Sequence, residues 1–262
     1  MRCALVVPTF QEAENIEAYL RAARDVLPDA QIVVCDDASP DGTGEIAEKV
    51  GEDIGGVEVL HRRAKEGLGA AYRHGFAVAL EQGNDVIVQM DVDFSHPHSM
   101  LPGMLQAIED GADVVVGSRY VPGGATPDWS LHRRLLSSWG NLYARWALGL
   151  AVRDTTSGFR AYRATALEAI HFETTRANGY GFQIETAYRL GWSGATVVER
   201  PLVFMDRVRG TSKMSVRIMI ENTALVTWWG VCRRAPRLTD RFRRSGLGRR
   251  VERLHARSIR GA

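Results

Sequence analysis

Asp91-Val92-Asp93 is the segment of this sequence best suited to chemistry. In an extended chain residues i and i+2 point the same way, so the two carboxylates face one space and repel each other there. A divalent cation removes that cost. Mg²⁺ or Mn²⁺ suits it, because both take oxygen ligands and share them with phosphates. Elsewhere such a pair is most often a solvated turn, but here it follows the apolar stretch Val86-Ile87-Val88-Gln89-Met90. Behind a buried strand it reads as a metal-binding pair. His96 and His98 follow closely with Pro97 between them, and read as turn and helix-start residues more readily than as ligands.

Other polar residues also gather just after apolar runs. Asp36-Asp37 follows Ile32–Cys35. Asp41-Gly42 reads as a turn and Thr43 as a helix N-cap, which leaves the acid pair without a structural task. A carboxylate after the second strand of a nucleotide-binding fold binds ribose hydroxyls or a base N–H. After the first run come Pro8, which stops a ladder, Phe10, a ring on which a base could stack, and Glu12, an acceptor for sugar or base donors. Arg62, Lys65, Gly67 and Gly69 mark the entry to a helix, where close backbone approach and the N-terminal dipole favour anions. Arg119 follows the fifth run. Asp206 to Lys213 gathers three cations around Gly210, of which Arg207 and Lys213 could clamp a leaving diphosphate. A solvated basic loop is the alternative there.

These residues need a frame that brings strand ends together. Short β-branched runs at Ala4–Val7, Ile32–Cys35, Val57–Leu60, Val86–Met90 and Val114–Val116 predict strands buried on both faces. Ile16, Leu20, Ala23 and Leu27, then Leu68, Tyr72, Phe76 and Leu80, recur at helical spacing between them. Such alternation predicts an α/β fold with a mostly parallel sheet, helices on both sides, and ligands beyond the carboxyl ends of the strands. Further along, Leu135, Trp139, Leu142, Trp146 and Leu150 fall on one helical face, and a second amphipathic stretch spans 216–231. Taken singly, each is expected first as a core helix with buried Trp; the alternative is a helix lying in a bilayer interface.

The 262 residues carry 45% hydrophobic and 24% charged residues, the make-up of a folded globular chain, which excludes wholesale disorder, collagen and coiled coil. Three scattered cysteines, Cys3, Cys35 and Cys232, argue against a disulfide framework or zinc site and suit a reducing cytoplasm. The net charge of +2 hides a split: the segment from Arg233 onward holds eleven Arg against Asp240 and Glu252, a charge of +9, and the rest carries −7. A basic arm on an acidic body seeks an anionic surface. Nucleic acid is disfavoured as that partner, since no nucleic-acid fold motif accompanies the Arg.

The ordered set Pro8–Glu12, Asp36–Thr43, Lys65–Gly69, Asp91–Asp93 and Asp206–Lys213 resembles glycosyltransferase family 2. Gly117–Gly124 and Asp154–Arg160 narrow the resemblance to its polyprenol monophosphomannose synthase (dolichol-phosphate mannose synthase) subgroup. The resemblance runs from residue 4 to about residue 215 and implies a GT-A fold over residues 1–215; beyond it, the amphipathic pattern predicts an interfacial helix over 216–232 and the charge pattern an Arg-rich tail over 233–262. It implies transfer of mannose from GDP-mannose to a polyprenyl monophosphate with inversion, with UDP-glucose as the rival donor. By motif position, Pro8, Phe10, Glu12, Cys35, Asp37, Asp91, Val92, Asp93, Arg119, Arg207 and Lys213 would contact the donor. Asp91 and Asp93, with Ser95 as a further candidate, would hold Mg²⁺ or Mn²⁺. Arg133 and Ser137 would grip the lipid phosphate, and Asp93, Arg119, Arg207 and Lys213 would form the catalytic set. Phe10 stands where Tyr is usual, Gln11 where Asn is frequent, and Ser95 where some relatives carry Gln. Glu185 is placed near the sugar without an assigned role. The expected setting is the cytoplasmic face of a membrane, held peripherally through an anionic surface, with an integral membrane protein as a further docking partner.

Overall fold

A computed structural model describes residues 1–177, 179–206 and 216–234 of the chain. Among these, seven strands form one sheet: β1 (Cys3–Thr9), β2 (Gln31–Asp36), β3 (Val57–His61), β4 (Val86–Gln89), β5 (Val114–Ser118), β6 (Arg160–Arg163) and β7 (Val197–Pro201). Their order is β3-β2-β1-β4-β6-β5-β7. Only β6 runs antiparallel to its neighbours, β4 and β5. The five strands read from the sequence all form, within a few residues of the expected ends. β6 and β7 are additions to that reading: Arg160-Ala161-Tyr162-Arg163 and Val197–Pro201 carry too many charges to read as buried runs.

Alternation along each strand builds two cores. Leu5, Val7, Ile32, Val34 and Val88 point to one face, where α1 (Ile16–Val26), α2 (Thr43–Ile54) and α4 (Leu101–Glu109) cover them. Val6, Val33, Ile87 and Val116 point to the other, under α3 (Leu68–Glu81), α6 (Ala164–Ala169) and α7 (Tyr180–Ser193). On α1 the buried set Ile16, Tyr19, Leu20 and Ala23 keeps the helical spacing of its sequence. The second core centres on Tyr72, Phe76 and Phe182, whose fully buried rings lie 5.5–6.3 Å apart. Full burial of such a ring contributes roughly 1.5–3 kcal/mol. Gly75 lets α3 settle onto the sheet, since a Cβ there would sit 2.4 Å from Val6 and 2.6 Å from Cys35.

The Trp-rich stretch forms α5 (Leu131–Leu148), and the second amphipathic stretch lies in α8 (Val216–Arg234). The expectation that the Trp stripe of α5 faces a core is corrected. Trp139 and Trp146 are 56% and 67% exposed, and Leu135 and Leu142 lie open beside them; only Leu150, beyond the helix end, is buried. The buried face of α5 carries small residues, Ala144 and Ala147, with Asn141 and Leu148. It packs there against Ile184 and Ala187 of α7 and Val226 of α8. Trp229 of α8 stacks on Tyr188, so the described part of that helix packs onto the body. No described helix is long and apolar enough to cross a membrane.

Candidate active site

The carboxyl ends of three adjacent parallel strands, β2, β1 and β4, supply most of the site. At each end one non-glycine residue takes a left-handed backbone: Gln11 (φ 58°), Ala38 (φ 56°) and Phe94 (φ 60°). That conformation costs about 1–2 kcal/mol for a residue with a Cβ, and its recurrence at three strand ends marks turns held in place by their surroundings.

A cleft of about 250 Å³ opens there. The first strand contributes Pro8, Phe10 and Glu12; the second, Asp37; the fourth, Asp91, Val92 and Asp93. All are candidates from the sequence, and the fold brings them together. Lys65 lines the same cleft, with its ammonium 3.9 Å from the centre of the Phe10 ring. The ring expected to stack a base is therefore covered by a cation that a base must displace.

The two acids of the second strand divide their tasks. Asp36 is structural: it accepts from Thr9 Oγ1 at 2.9 Å and from the backbone and hydroxyl of Ser39. Asp37 faces the cleft, ion-paired with Arg62 and accepting from Gly67 N at 3.1 Å. Burial pushes its carboxyl above the ordinary range against the pull of Arg62. Arg62, read as a phosphate contact, is thus taken up by Asp37 and Glu66. Thr43 is the first residue of α2 rather than its cap; Gly42 stands at the cap, and Thr43 Oγ1 donates to Asp41.

Asp91 and Asp93 are each fixed by a neighbour. Tyr72 donates its phenol to Asp91 Oδ1 at 3.0 Å, and burial, reinforced by the Asp91 charge, holds that phenol protonated far above its usual pKa. Asp93 Oδ1 accepts from Ser95 N at 3.1 Å and Ser95 Oγ at 2.5 Å. Ser95 is buried and outside the cleft lining. The reading of Ser95 as a third ligand is accordingly revised to that of a donor that orients Asp93. His96 and His98 are buried and neutral, each pushed down to about 4 by burial, and His96 Nδ1 accepts from Asp91 N at 3.4 Å. No cluster of three or more His, Cys, Asp or Glu suited to a metal occurs among the described residues. Two carboxylates on one cleft wall still fit a hard divalent ion whose remaining ligands are phosphate oxygens and water.

Other sequence candidates fall outside the lining. The Cys35 thiol lies beneath α3, and burial pushes it up to about 12, so it has no thiolate chemistry at neutral pH. Arg119 binds Asp154 in a bidentate pair, with Nε to Oδ2 and Nη2 to Oδ1 both at 2.7 Å, and donates to Thr156 Oγ1 at 2.7 Å. Burial opposes the Asp154 charge, but Arg119 outweighs it and holds the carboxyl below its usual value. Arg133 lies on α5, paired with Asp206 at 2.9 Å and stacked 4.1 Å from the Trp129 ring centre. Ser137, one turn further, accepts from the Tyr120 hydroxyl at 2.6 Å. Glu185 binds the backbone N–H groups of Arg176 and Ala177, both at 2.9 Å, and Arg189; it fastens a turn and does not line the cleft. Arg207 and Lys213 lie outside the described residues.

Sequence reasoning assigns no role to Thr156, Gly158 or Gln183, all of which line the cleft. Thr156 and Gly158 sit in the segment that narrows the family resemblance, which is the available signal. Gln183 has none beyond its place two residues before Glu185.

The glycosyl transferase family 2 model matches residues 4–170. The undecaprenyl-phosphate mannosyltransferase of Micrococcus luteus is 44% identical over 89% of this chain and 96% of its own length. The polyprenol monophosphomannose synthase of Mycolicibacterium smegmatis is 42% identical over 88% of this chain and 87% of its own. Among solved structures, glucosyl-3-phosphoglycerate synthase from Mycobacterium tuberculosis, in complex with Mn²⁺ and UDP-glucose, superposes with a TM-score of 0.59 at 21% identity, covering 88% of this chain and 78% of that one. The family resemblance and the GT-A fold read from the motifs are both borne out: the chain belongs to glycosyltransferase family 2.

Proposed function

We propose that this glycosyltransferase moves mannose from GDP-mannose to a polyprenyl monophosphate with inversion, working peripherally on the cytoplasmic face of a membrane. The observation that carries the reading is the pairing of Asp91 and Asp93 on one cleft wall in a chain that aligns over 89% of its length with a mannosyltransferase named for undecaprenyl phosphate. Asp91 and Asp93 would hold Mg²⁺ or Mn²⁺, which when bound offsets the charge of the departing diphosphate.

The chain's own residues do the rest. Phe10, once Lys65 moves aside, offers the base a face to stack on, and Lys65 then meets phosphate. Asp37 and Glu12 accept from ribose or base donors at the cleft edge. The acceptor's second phosphate pKa is about 6, so at neutral pH it is mostly dianionic and needs no strong general base. The harder task is bringing two anions together. Arg133 and Ser137 would bind the lipid phosphate, and each must exchange its present partner, Asp206 or Tyr120, to do so. Direct displacement from the face opposite the diphosphate gives the β-linked mannosyl phosphate.

The membrane reading rests on α5. Its open face of Leu135, Trp139, Leu142 and Trp146 shares the helix with exposed Arg134, and Arg234 stacks 4.6 Å from the Trp146 ring centre. Aromatic and basic groups together suit the headgroup depth of an anionic leaflet. The test is incubation of the purified chain with radiolabelled GDP-mannose, MgCl₂ and a short polyprenyl phosphate, followed by solvent extraction. Label in the organic phase, uncompeted by excess UDP-glucose, is the expected result. Competition by UDP-glucose would make glucose the sugar. Donor binding without release of GDP would make the chain a sensor of nucleotide sugars.

A further inference from the structure

Gln183 is 2% exposed, yet neither its amide nitrogen nor its amide oxygen has a hydrogen-bond partner. Several other buried polar side chains among the described residues have an unmet atom, but none of them lines the cleft. Gln89 illustrates the difference: its Nε2 is unmet, but its Oε1 accepts from Tyr162 at 3.1 Å within the core. A carboxamide supplies two N–H donors and an oxygen with two lone pairs, and burying one with all of them unmet is costly. Such a group in a binding cleft is available to a ligand that brings the partners.

Its surroundings say which part of the ligand. A Cβ added at Gly158 would stand 3.7 Å from Gln183 Nε2 and 3.4 Å from Asp91 Oδ2. The amide and the acid therefore both border the space left by a residue that has no side chain, within reach of a small polar group placed there. Behind Gln183, Arg160 Nη1 donates to its backbone carbonyl at 3.0 Å, and the neighbouring Phe182 is fully buried against Tyr72. The backbone of Gln183 is therefore held rigidly while its head group is left to a ligand.

We infer that Gln183 reads the transferred hexose: its amide donates to one sugar hydroxyl and accepts from the adjacent one, in the space that Gly158 leaves open beside Asp91. Two neighbouring hydroxyls match a carboxamide because each can both give and take a hydrogen bond. The inference rests on the nucleotide-sugar reading above and adds the residue that recognises the sugar rather than the nucleotide.

The experiment compares wild type with Gln183→Leu, which keeps the bulk and removes the amide, and Gln183→Glu, which keeps an acceptor and removes the N–H donors. Calorimetric titration with GDP and with GDP-mannose, both with MgCl₂, separates the two halves of the donor. Gln183→Leu should bind GDP as wild type does, which also shows that it is folded, and bind GDP-mannose about 10- to 100-fold more weakly. Gln183→Glu should fall between the two. Monodeoxy analogues of the donor sugar complete the test: two adjacent positions should cost wild type affinity and cost Gln183→Leu nothing further. Equal weakening toward GDP and GDP-mannose, or equal penalties for every deoxy analogue in both proteins, would overturn the inference and leave the proposed transfer standing. Wild type that transfers no sugar from GDP-mannose or UDP-glucose would instead overturn the reading on which it rests.

Discussion

Removing the guanidinium of Arg119 should cost this fold more than most single substitutions. The side chain and its partner Asp154 are 7% and 0% exposed. Three hydrogen bonds from Arg119, one from its backbone, converge on that carboxylate. Arg119→Ala leaves a buried charge without its counter-ion, a loss of about 3–5 kcal/mol, or roughly 10²- to 10⁴-fold in the folded-to-unfolded ratio. Urea unfolding at pH 7 measures it. Arg119→Met with Asp154→Leu removes both charges and leaves the Arg119 N–H as the main unmet group, so about 1–3 kcal/mol is expected. The double variant should thus be more stable than Arg119→Ala. The dependence on pH should also change sign. In wild type the folded carboxyl is held below its unfolded value, about 3.9, so its contribution is complete above that value and is lost as pH falls through the folded one. In Arg119→Ala burial is opposed only by the backbone N–H of residue 119 and the Arg160 charge; burial, the largest influence, then raises the folded pKa, so this variant should lose stability as pH rises from about 4. A loss under about 1 kcal/mol, additive single costs, or an unchanged pH slope would refute the reasoning. Full transfer activity in the double variant would remove Arg119 from the catalytic set and leave it a structural residue.

Asp93→Ala should abolish metal-dependent transfer, a loss of several kcal/mol or about 10³-fold in kcat/KM; turnover retained with Mg²⁺ present would remove Asp93 from that role. Arg133→Ala should raise KM for the lipid acceptor about 10-fold while leaving that for GDP-mannose nearly unchanged, and steady-state kinetics showing the reverse would count against α5 as the acceptor's side. Trp139→Ala with Trp146→Ala should weaken sedimentation with anionic vesicles about 10-fold or more, while unfolding free energy stays within about 0.5 kcal/mol because both rings are exposed. Unchanged vesicle binding would take that face out of the membrane reading.

The legible parts of this molecule are those where one physical demand acts alone. Leu5–Val7, Ile32–Val34 and Val86–Val88 must be apolar on both faces, and an unbroken apolar run of that length has no place in a solvated loop, so each reads as a buried strand. Asp91 and Asp93 are legible because carboxylates behind such a strand have no packing role. Residues under two demands are harder to read. β6 contains Arg160, fully buried, whose two terminal nitrogens donate to Thr155 O, Gln183 O and Thr186 Oγ1, and no local pattern reveals partners 5 to 26 residues away. The Trp stripe of α5 has the spacing of a core face, but which face turns inward is decided by Ala144 and Ala147, small enough for close helix packing. Gln11, which replaces a frequent Asn, stands at φ 58°, where Asn is among the residues that adapt best. The departure is visible in the sequence, and its conformational meaning is not.

α5 is where the two halves of the proposed reaction meet. Its outer face is apolar and open, and its inner face carries Asn141, buried among small residues. That amide accepts from Thr155 N and Oγ1, both at 2.8 Å, and donates to Thr156 Oγ1 at 3.2 Å. Thr156 lines the cleft and also accepts from Arg119. A tilt of α5 away from the body would break these bonds together, at about 0.5–1.5 kcal/mol each and more for any left buried and unmet. The exposed helix and the cleft wall therefore hold a fixed relation to each other. A membrane that fixes the height and tilt of α5 fixes the cleft mouth as well, so an acceptor phosphate at headgroup depth meets a site already oriented toward it. Orientation set in this way lowers the entropic cost of bringing two reactants together.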